Sequence, residues 1–283
     1  MQPQSSKLFE NVLVVGGGLM GAGIAHVLAE NGVHVTLVDQ NARELERAQQ
    51  RIVKAHERKH SETEVQSILG NILFSTDMNE GKHCILAIEA VPEKMEIKQA
   101  VFKRLDELLP PQAILASNTS SLSIAAMSSV TTRPAQVVGM HFFSPVPSMR
   151  LVEIVRGINT SEETIEKVRE FGEQIGKELI IAKDLPGFTV NRALVPFLNE
   201  AAYLVMEGND PEEIDRGLML GANHPIGPLR LIDSLGVDVL LFTIESLYEG
   251  FNDSKYRPCP LLKRMVGAGH LGKKSGKGFY VYS

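Results

Sequence analysis

Three short segments of the chain gather side chains capable of chemistry: Glu89-Ala90-Val91-Pro92-Glu93, Ser117-Asn118-Thr119-Ser120-Ser121 and His141-Phe142-Phe143-Ser144-Pro145. Each follows or closes an apolar run that reads as a strand, and ligands of open α/β sheets bind beyond the carboxyl ends of the strands. His141 is the one histidine placed at such an end. Oxidising an alcohol needs a base that takes the hydroxyl proton as hydride leaves carbon, and imidazole, which titrates near neutrality, suits that task. Glu153 follows twelve residues later, across Ser144-Pro145-Val146-Pro147-Ser148. If the flanking strands form a hairpin centred near Pro147, residues 141 and 153 fall opposite each other. A carboxylate there would hold the imidazole tautomer and stabilise the imidazolium that forms. From position alone, a surface pair without a catalytic role reads equally well.

A second constellation lies near the N-terminus. Gly16-Gly17-Gly18-Leu19-Met20-Gly21 is a G-x-G-x-x-G that follows a strand-like run and opens a helix-like one. Gly16 permits the tight turn, Gly18 lets the backbone approach a pyrophosphate, and Gly21 lets the helix sit close to the sheet. The pyrophosphate would meet unpaired N–H groups and the positive end of the helix dipole. Asp39, 18 residues past Gly21, ends the next strand-like run. Its carboxylate would accept bonds from the ribose hydroxyls and repel a 2′-phosphate, which favours NAD over NADP. The expected cofactor contacts are Gly16, Gly18, Leu19, Met20, Gly21, Asp39, Gln40 and Ala90. FAD also tolerates an acid at this position, but no second flavin-type element is visible.

The elements that must carry these residues follow from hydrophobic periodicity. Asn11–Val15 reads as a strand, Leu19–Glu30 as a helix stopped at Asn31-Gly32, and Val33–Val38 as a second strand. A charged helix follows over about Ala42–Lys59, then another at Glu62–Leu69. Further strands read at Ile72–Ser75, Cys84–Glu89, Ala113–Ala116 and Val137–Phe142. Strands separated by helical patterns imply a parallel, doubly wound sheet of Rossmann type. Leu151–Val155 and Leu179–Ala182 read as closing strands around a helix at Glu162–Ile175, with Ser161 as N-cap and Gly176 as its stop. Beyond Lys183-Asp184-Leu185-Pro186-Gly187 strand signals vanish. Helices are expected at Asn191–Glu207, Glu212–Leu220 and Leu231–Tyr248, with Asp210-Pro211 as a start signal. The expected organisation is a dinucleotide-binding domain at 1–183 and an all-α domain at 184–283. The closing Phe279-Tyr280-Val281-Tyr282 is expected to dock back on the fold.

Composition excludes several function classes. A chain of 283 residues with 43% hydrophobic and 22% charged residues can bury two cores. Its net charge of −5 argues against nucleic acid or an anionic membrane as the main partner. No apolar run approaches the ~20 residues that span a bilayer. Met1–Glu10 has neither a signal core nor an Arg-rich amphipathic stretch, so a cytoplasmic protein is expected; an organellar form without its presequence would read alike. Cys84 and Cys259 have no neighbours at metal-ligand spacing, and the eight histidines are scattered, so no metal is assigned.

Beyond these readings the chain resembles the L-3-hydroxyacyl-CoA dehydrogenase family. The resemblance rests on Gly16-Gly17-Gly18-Leu19-Met20-Gly21-Ala22-Gly23-Ile24-Ala25, Ser117-Asn118-Thr119-Ser120-Ser121-Leu122, Gly139-Met140-His141-Phe142-Phe143 and Leu151-Val152-Glu153. It continues through Pro186-Gly187-Phe188, Val190-Asn191-Arg192, His224-Pro225-Ile226-Gly227-Pro228-Leu229 and Gly276-Lys277-Gly278-Phe279-Tyr280. It implies His141 as the catalytic base, Glu153 as its orienting partner, Ser120 as the hydroxyl that meets the substrate oxygen, and Asn191 as a second polar group of the substrate site. It also implies dinucleotide contacts at Glu93, Lys98 and Asn118, an acyl-CoA substrate, and a homodimer through the helical domain. Two departures stand out. Ser144 replaces the Asn of the family's His-Phe-Phe-Asn-Pro. Ala55 and Glu62 stand where the family carries Ser and Lys over the CoA adenine. Lys54, Arg58 and Lys59 are the nearby cations able to meet CoA phosphates, although such a run is also an ordinary solvated helix face. The competing functions are a dehydrogenase of a non-CoA 3-hydroxy acid and a non-catalytic NAD-binding protein.

Overall fold

A computed structural model of the chain describes residues 8–56 and 61–282. It divides into two compact units, Met1–Asp184 and Leu185–Ser283. The first is built as β1 (Asn11–Val15), α1 (Leu19–Glu30), β2 (His34–Val38), α2 (Ala42–His56), α3 (Glu62–Gly70), β3 (Ile72–Ser75), β4 (Leu86–Glu89), α4 (Met95–Leu108), β5 (Ile114–Ser117), α5 (Ile124–Ser128), β6 (Val137–Phe142), β7 (Leu151–Arg156), α6 (Glu162–Gln174) and β8 (Glu178–Lys183). The strands form one sheet in the order β3-β2-β1-β4-β5-β6-β7-β8. The chain reverses direction across the sheet between β1 and β4. That is the switch point where α/β sheets open a ligand crevice.

Burial explains the strand sequences. Every residue of β4, β5 and β6 is buried, as is Val12–Val15 of β1. Strands covered by helices on both faces need continuous apolar runs rather than alternation. Pairing is parallel from β3 through β6, and β7 then runs antiparallel to β6. The connection over 143–150 is too short for a parallel crossover, which takes a dozen residues or more, so the chain must turn back. Helix α1 packs Ile24, Ala25 and Leu28 into the core, and Phe9 meets Phe171 edge-on at 5.2 Å. Full burial of a side chain such as Ile24 or Leu28 is worth roughly 1.5–3 kcal/mol. Ser61 closes a capping box with Glu64, and Ser161 accepts from Thr164 N–H to start α6.

The second unit contains α7 (Val190–Met206), α8 (Pro211–Gly221), α9 (Pro228–Leu235), α10 (Val237–Phe251) and α11 (Pro260–Gly267). The single helix expected over Leu231–Tyr248 is instead two, broken at Gly236, whose φ of +107° lies outside the helical region. Apolar periodicity runs on through a one-residue break and does not reveal it. Helix α11 was not expected. The charged helix expected to reach Lys59 is described only as far as His56, and residues 57–60, Arg58 among them, lie outside the described residues. The C-terminal segment docks as its apolar residues suggest. Asp233 accepts the N–H groups of Phe279 and Tyr280 at 2.9 Å, and Asp215 accepts the Tyr280 hydroxyl at 2.7 Å. Burial and the Asp233 carboxylate push the Tyr282 phenol up to about 12. Among the described residues no helix is long and apolar enough to cross a membrane.

Candidate active site

The glycine-rich loop joins β1 to α1 at the switch point. Gly16 has φ +109°, and a Cβ there would lie 2.6 Å from the Ala90 carbonyl oxygen. A Cβ at Gly21 would lie 1.8 Å from the Gly16 oxygen, so the helix approaches the loop as closely as it does only because position 21 lacks a side chain. The loop is tied outward to β2. Gly16 N–H donates to the Val38 carbonyl at 2.7 Å, and Gly17 N–H donates to Asp39 Oδ2 at 2.8 Å. Asp39 Oδ1 accepts from Asn41 N–H at 2.8 Å.

These residues open on a cavity of about 580 Å³, whose wall includes Gly16, Gly18, Leu19, Met20, Asp39, Gln40 and Ala90. A Cβ at Gly18 would meet nothing within 4 Å, so backbone faces open space at the helix N-terminus. Backbone amides over an open cavity, with a half-buried carboxylate at its far end, match a dinucleotide's pyrophosphate and ribose. Gly21 stands behind the loop and does not line the cavity.

Beyond it the strand ends bring the remaining groups together. The β6–β7 register sets His141 opposite Glu153. His141 Nδ1 and Glu153 Oε2 are 2.8 Å apart, with His141 6% and Glu153 0% exposed. The Phe143 ring lies 4.5 Å from the imidazole, centroid to centroid. The imidazole Nδ1 is thus committed to the carboxylate. Asn118 Oδ1 accepts the Phe142 N–H at 2.9 Å, which ties the end of β6 to the loop after β5.

That loop carries Ser120 and is held by Glu93. Glu93 Oε1 accepts Thr119 Oγ1 at 2.5 Å and Ser120 N–H at 2.9 Å, and its Oε2 meets Lys98 Nζ at 3.1 Å. Burial alone would raise the Glu93 pKa, but the Lys98 ammonium and the loop donors outweigh it and hold the carboxyl below its ordinary value. Lys98, almost fully buried, also meets Glu89 Oε1 at 2.7 Å. Lys98 therefore sits inside a carboxylate pair, behind the strand ends. In the sequence, a glutamate closing an apolar strand shows nothing of its partners; α4 brings Lys98 beneath it.

A second cavity of about 600 Å³ lies on the other side of α1. Gly23 and His26 of that helix, Arg51 and Ala55 of α2, and the loop Ser144–Ser148 contribute to its wall. Ser144 thus lines a cavity, whereas Lys54 lies on the exposed face of α2 and is absent from this wall. Arg51, which the sequence had not singled out, takes that place, with Nη1 3.3 Å from the Gly17 carbonyl oxygen. Lys177, buried on β8's approach, donates to the carbonyls of Val146 at 2.7 Å and Met149 at 2.8 Å and so pins the same loop. Asn191 belongs to the second unit, half-buried in the first turn of α7.

A dinucleotide loop at the switch point, with a buried His–Glu pair at the neighbouring strand ends, defines a dehydrogenase of the nucleotide-binding α/β class. Comparison with known proteins narrows the class. Residues 11–185 match the model of the 3-hydroxyacyl-CoA dehydrogenase NAD-binding domain, and residues 187–282 match that of the 3-hydroxyacyl-CoA dehydrogenase C-terminal domain. The chain belongs to the 3-hydroxyacyl-CoA dehydrogenase family. A Bacillus subtilis protein named "Probable 3-hydroxybutyryl-CoA dehydrogenase" is 48% identical over 279 residues, 96% of this chain and 97% of the relative. The human mitochondrial hydroxyacyl-coenzyme A dehydrogenase is 40% identical over 97% of this chain and 92% of its own length. The crystal structure of (S)-3-hydroxybutyryl-CoA dehydrogenase from Ralstonia eutropha superposes with a TM-score of 0.92 at 43% identity, covering 97% of this chain and 99% of that one.

Proposed function

We propose that this protein is an NAD-dependent dehydrogenase that interconverts short-chain (S)-3-hydroxyacyl-CoA thioesters, 3-hydroxybutyryl-CoA among them, with the 3-ketoacyl-CoA. The observation that carries the reading is the buried His141–Glu153 pair, 2.8 Å apart, at strand ends beside the glycine-rich loop. The names of the full-length relatives supply the substrate class.

Bound in the first cavity by Gly16, Gly18, Leu19, Met20, Asp39, Gln40 and Ala90, the nicotinamide dinucleotide supplies a two-electron hydride acceptor. In the oxidative direction His141 Nε2 takes the 3-hydroxyl proton as the carbon gives up hydride, and in the reductive direction it returns that proton. Glu153 keeps the imidazole oriented and balances the positive charge that develops on it. Ser120 Oγ donates to the substrate oxygen, while Glu93, Lys98 and Asn118 fix the loop that presents it. The Phe143 ring limits water and rotation at the imidazole. Asp39 favours NAD over NADP by repelling a 2′-phosphate. The CoA portion is assigned to the second cavity, with Ser144 and Arg51 on its wall and the α2 cation Lys54 nearby in sequence.

We assign a homodimer to the second unit. Val239 and Phe242, each 47% exposed, lie three residues apart on one face of α10. Apolar side chains in such a row mark an association surface.

The test is turnover of an acyl-chain series from acetoacetyl-CoA upward with NADH, set beside free acetoacetate. The expected result is kcat/KM highest for the short thioesters and lower by about two orders of magnitude or more for the free acid. Equal or better turnover of the free acid would overturn the substrate assignment.

A further inference from the structure

Glu89 lies at the end of β4 with its side chain wholly buried, and the scheme above gives it no part. Its carboxylate is fully engaged. Oε1 accepts the Val91 N–H at 2.7 Å and the Lys98 ammonium at 2.7 Å, and Oε2 accepts the Ser117 hydroxyl at 2.6 Å. Ser117 Oγ in turn accepts the Thr119 N–H at 3.1 Å. Lys98 carries the chain onward to Glu93 Oε2 at 3.1 Å, and Glu93 Oε1 takes the N–H groups of Ser120 at 2.9 Å and Ser121 at 3.3 Å.

Two routes therefore lead from Glu89 to the Ser120 loop, one through Ser117 and one through Lys98 and Glu93. Taking a carboxylate and an ammonium out of water carries a heavy desolvation penalty, and an apolar pair of the same volume often holds a core as well or better. A purely structural need at this point does not call for ions. What the ions do is hold a short loop in one arrangement from both ends. In that arrangement the Ser120 hydroxyl has only a long, 3.4 Å contact with Glu93, near the limit of hydrogen bonding, while its backbone N–H is firmly held. The hydroxyl is thus presented without being consumed.

We infer that Glu89 is a positioning residue: through Ser117 and the Lys98–Glu93 relay it fixes the loop that presents the Ser120 hydroxyl. The inference rests on the reading of Ser120 as the donor to the substrate oxygen. Networks of this kind act as units, so deletions within one are not additive.

The experiment is a double-mutant cycle of Glu89→Gln and Ser120→Ala, with kcat and KM for acetoacetyl-CoA at saturating NADH and the thermal midpoint of each variant. Glu89→Gln alone is expected to lower kcat about tenfold or more. In the Ser120→Ala background the same change is expected to cost less than twofold, although the thermal midpoint falls in both backgrounds alike. An equal loss of kcat in the two backgrounds, an unchanged kcat, or a silent Ser120→Ala would overturn the inference. If Glu89→Gln does not fold, Ser117→Ala, which removes one hydroxyl and no charge, carries the same cycle with a smaller factor and the same expected and overturning results. Turnover of acetoacetyl-CoA by the parent enzyme reports separately on the reaction itself, so loss of that reading and loss of this one are distinguishable.

Discussion

Replacing Asp39 by Asn changes one group at the far end of the cofactor cavity and tests how the protein distinguishes its two possible nicotinamide cofactors. The carboxylate is half-buried, lines the cavity, and is held from behind by Gly17 N–H and Asn41 N–H, each at 2.8 Å. Its charge is therefore fixed in place. A 2′-phosphate seated on the same ribose would stand on the order of 4 Å from that charge, where a unit repulsion near a protein surface amounts to about 4 kcal/mol. Salt at physiological strength screens part of this, leaving roughly 3 kcal/mol. At 1.36 kcal/mol per tenfold, Asp39→Asn should shift the NADH-over-NADPH ratio of kcat/KM by roughly 10²-fold. Part of the shift comes from weaker NADH use, because an amide retains one acceptor where the carboxylate had two oxygens and now points an N–H at a backbone N–H. The assay is initial-rate reduction of acetoacetyl-CoA with each cofactor, followed by loss of reduced-nicotinamide absorbance. A ratio unchanged within twofold would refute the argument that Asp39 selects the cofactor by charge.

Three further outcomes are expected. Glu153→Gln removes a charge-assisted bond to a buried imidazole, worth about 1.5–3 kcal/mol, and should lower kcat roughly 10- to 10²-fold while NADH affinity, measured by fluorescence titration, stays as it was; parent-like turnover contradicts this. The Glu93 carboxyl is held below its ordinary value of 4.5, so the stability it lends is complete above about pH 4.5 and is lost as the pH falls through the lowered native value. Glu93→Gln should therefore flatten the thermal midpoint's dependence on pH below about 4.5, and superimposable curves would show that Glu93 contributes nothing there. Phe242→Glu places a charge in the exposed stripe of α10 and should turn a dimer into monomers in sedimentation velocity, whereas an unaltered dimer would put the interface elsewhere.

Much of the fold was legible because its local signals agree. The buried parallel strands are continuous apolar runs, Ser161 and Asp210 cap their helices, and Asn31-Gly32 stops α1 where it was expected. The pairing of His141 with Glu153 was also accessible, because a hairpin centred near Pro147 fixes which residues oppose. Other features depend on tertiary proximity that no local pattern carries. Gly236 breaks a helix whose apolar stripe continues on either side. Lys54 is the cation the sequence offers on α2, but it lies exposed on that helix, whereas Arg51, one turn earlier, reaches the wall of the second cavity. Glu89 reads as the polar end of a strand, and its buried partners, Ser117 at the end of β5 and Lys98 on α4, are brought to it only by the fold. Sites assembled from several strand ends are visible in sequence where pairing rules apply and hidden where a helix supplies the partner.

The most direct test of the account is His141→Ala, assayed for acetoacetyl-CoA reduction alongside NADH binding. The account predicts that turnover falls on the order of 10²-fold or more, because the variant lacks the group that exchanges the proton with the substrate oxygen. NADH affinity should remain that of the parent, since His141 does not line the cofactor cavity. A variant that binds NADH normally and turns over at close to the parent rate would contradict the central claim.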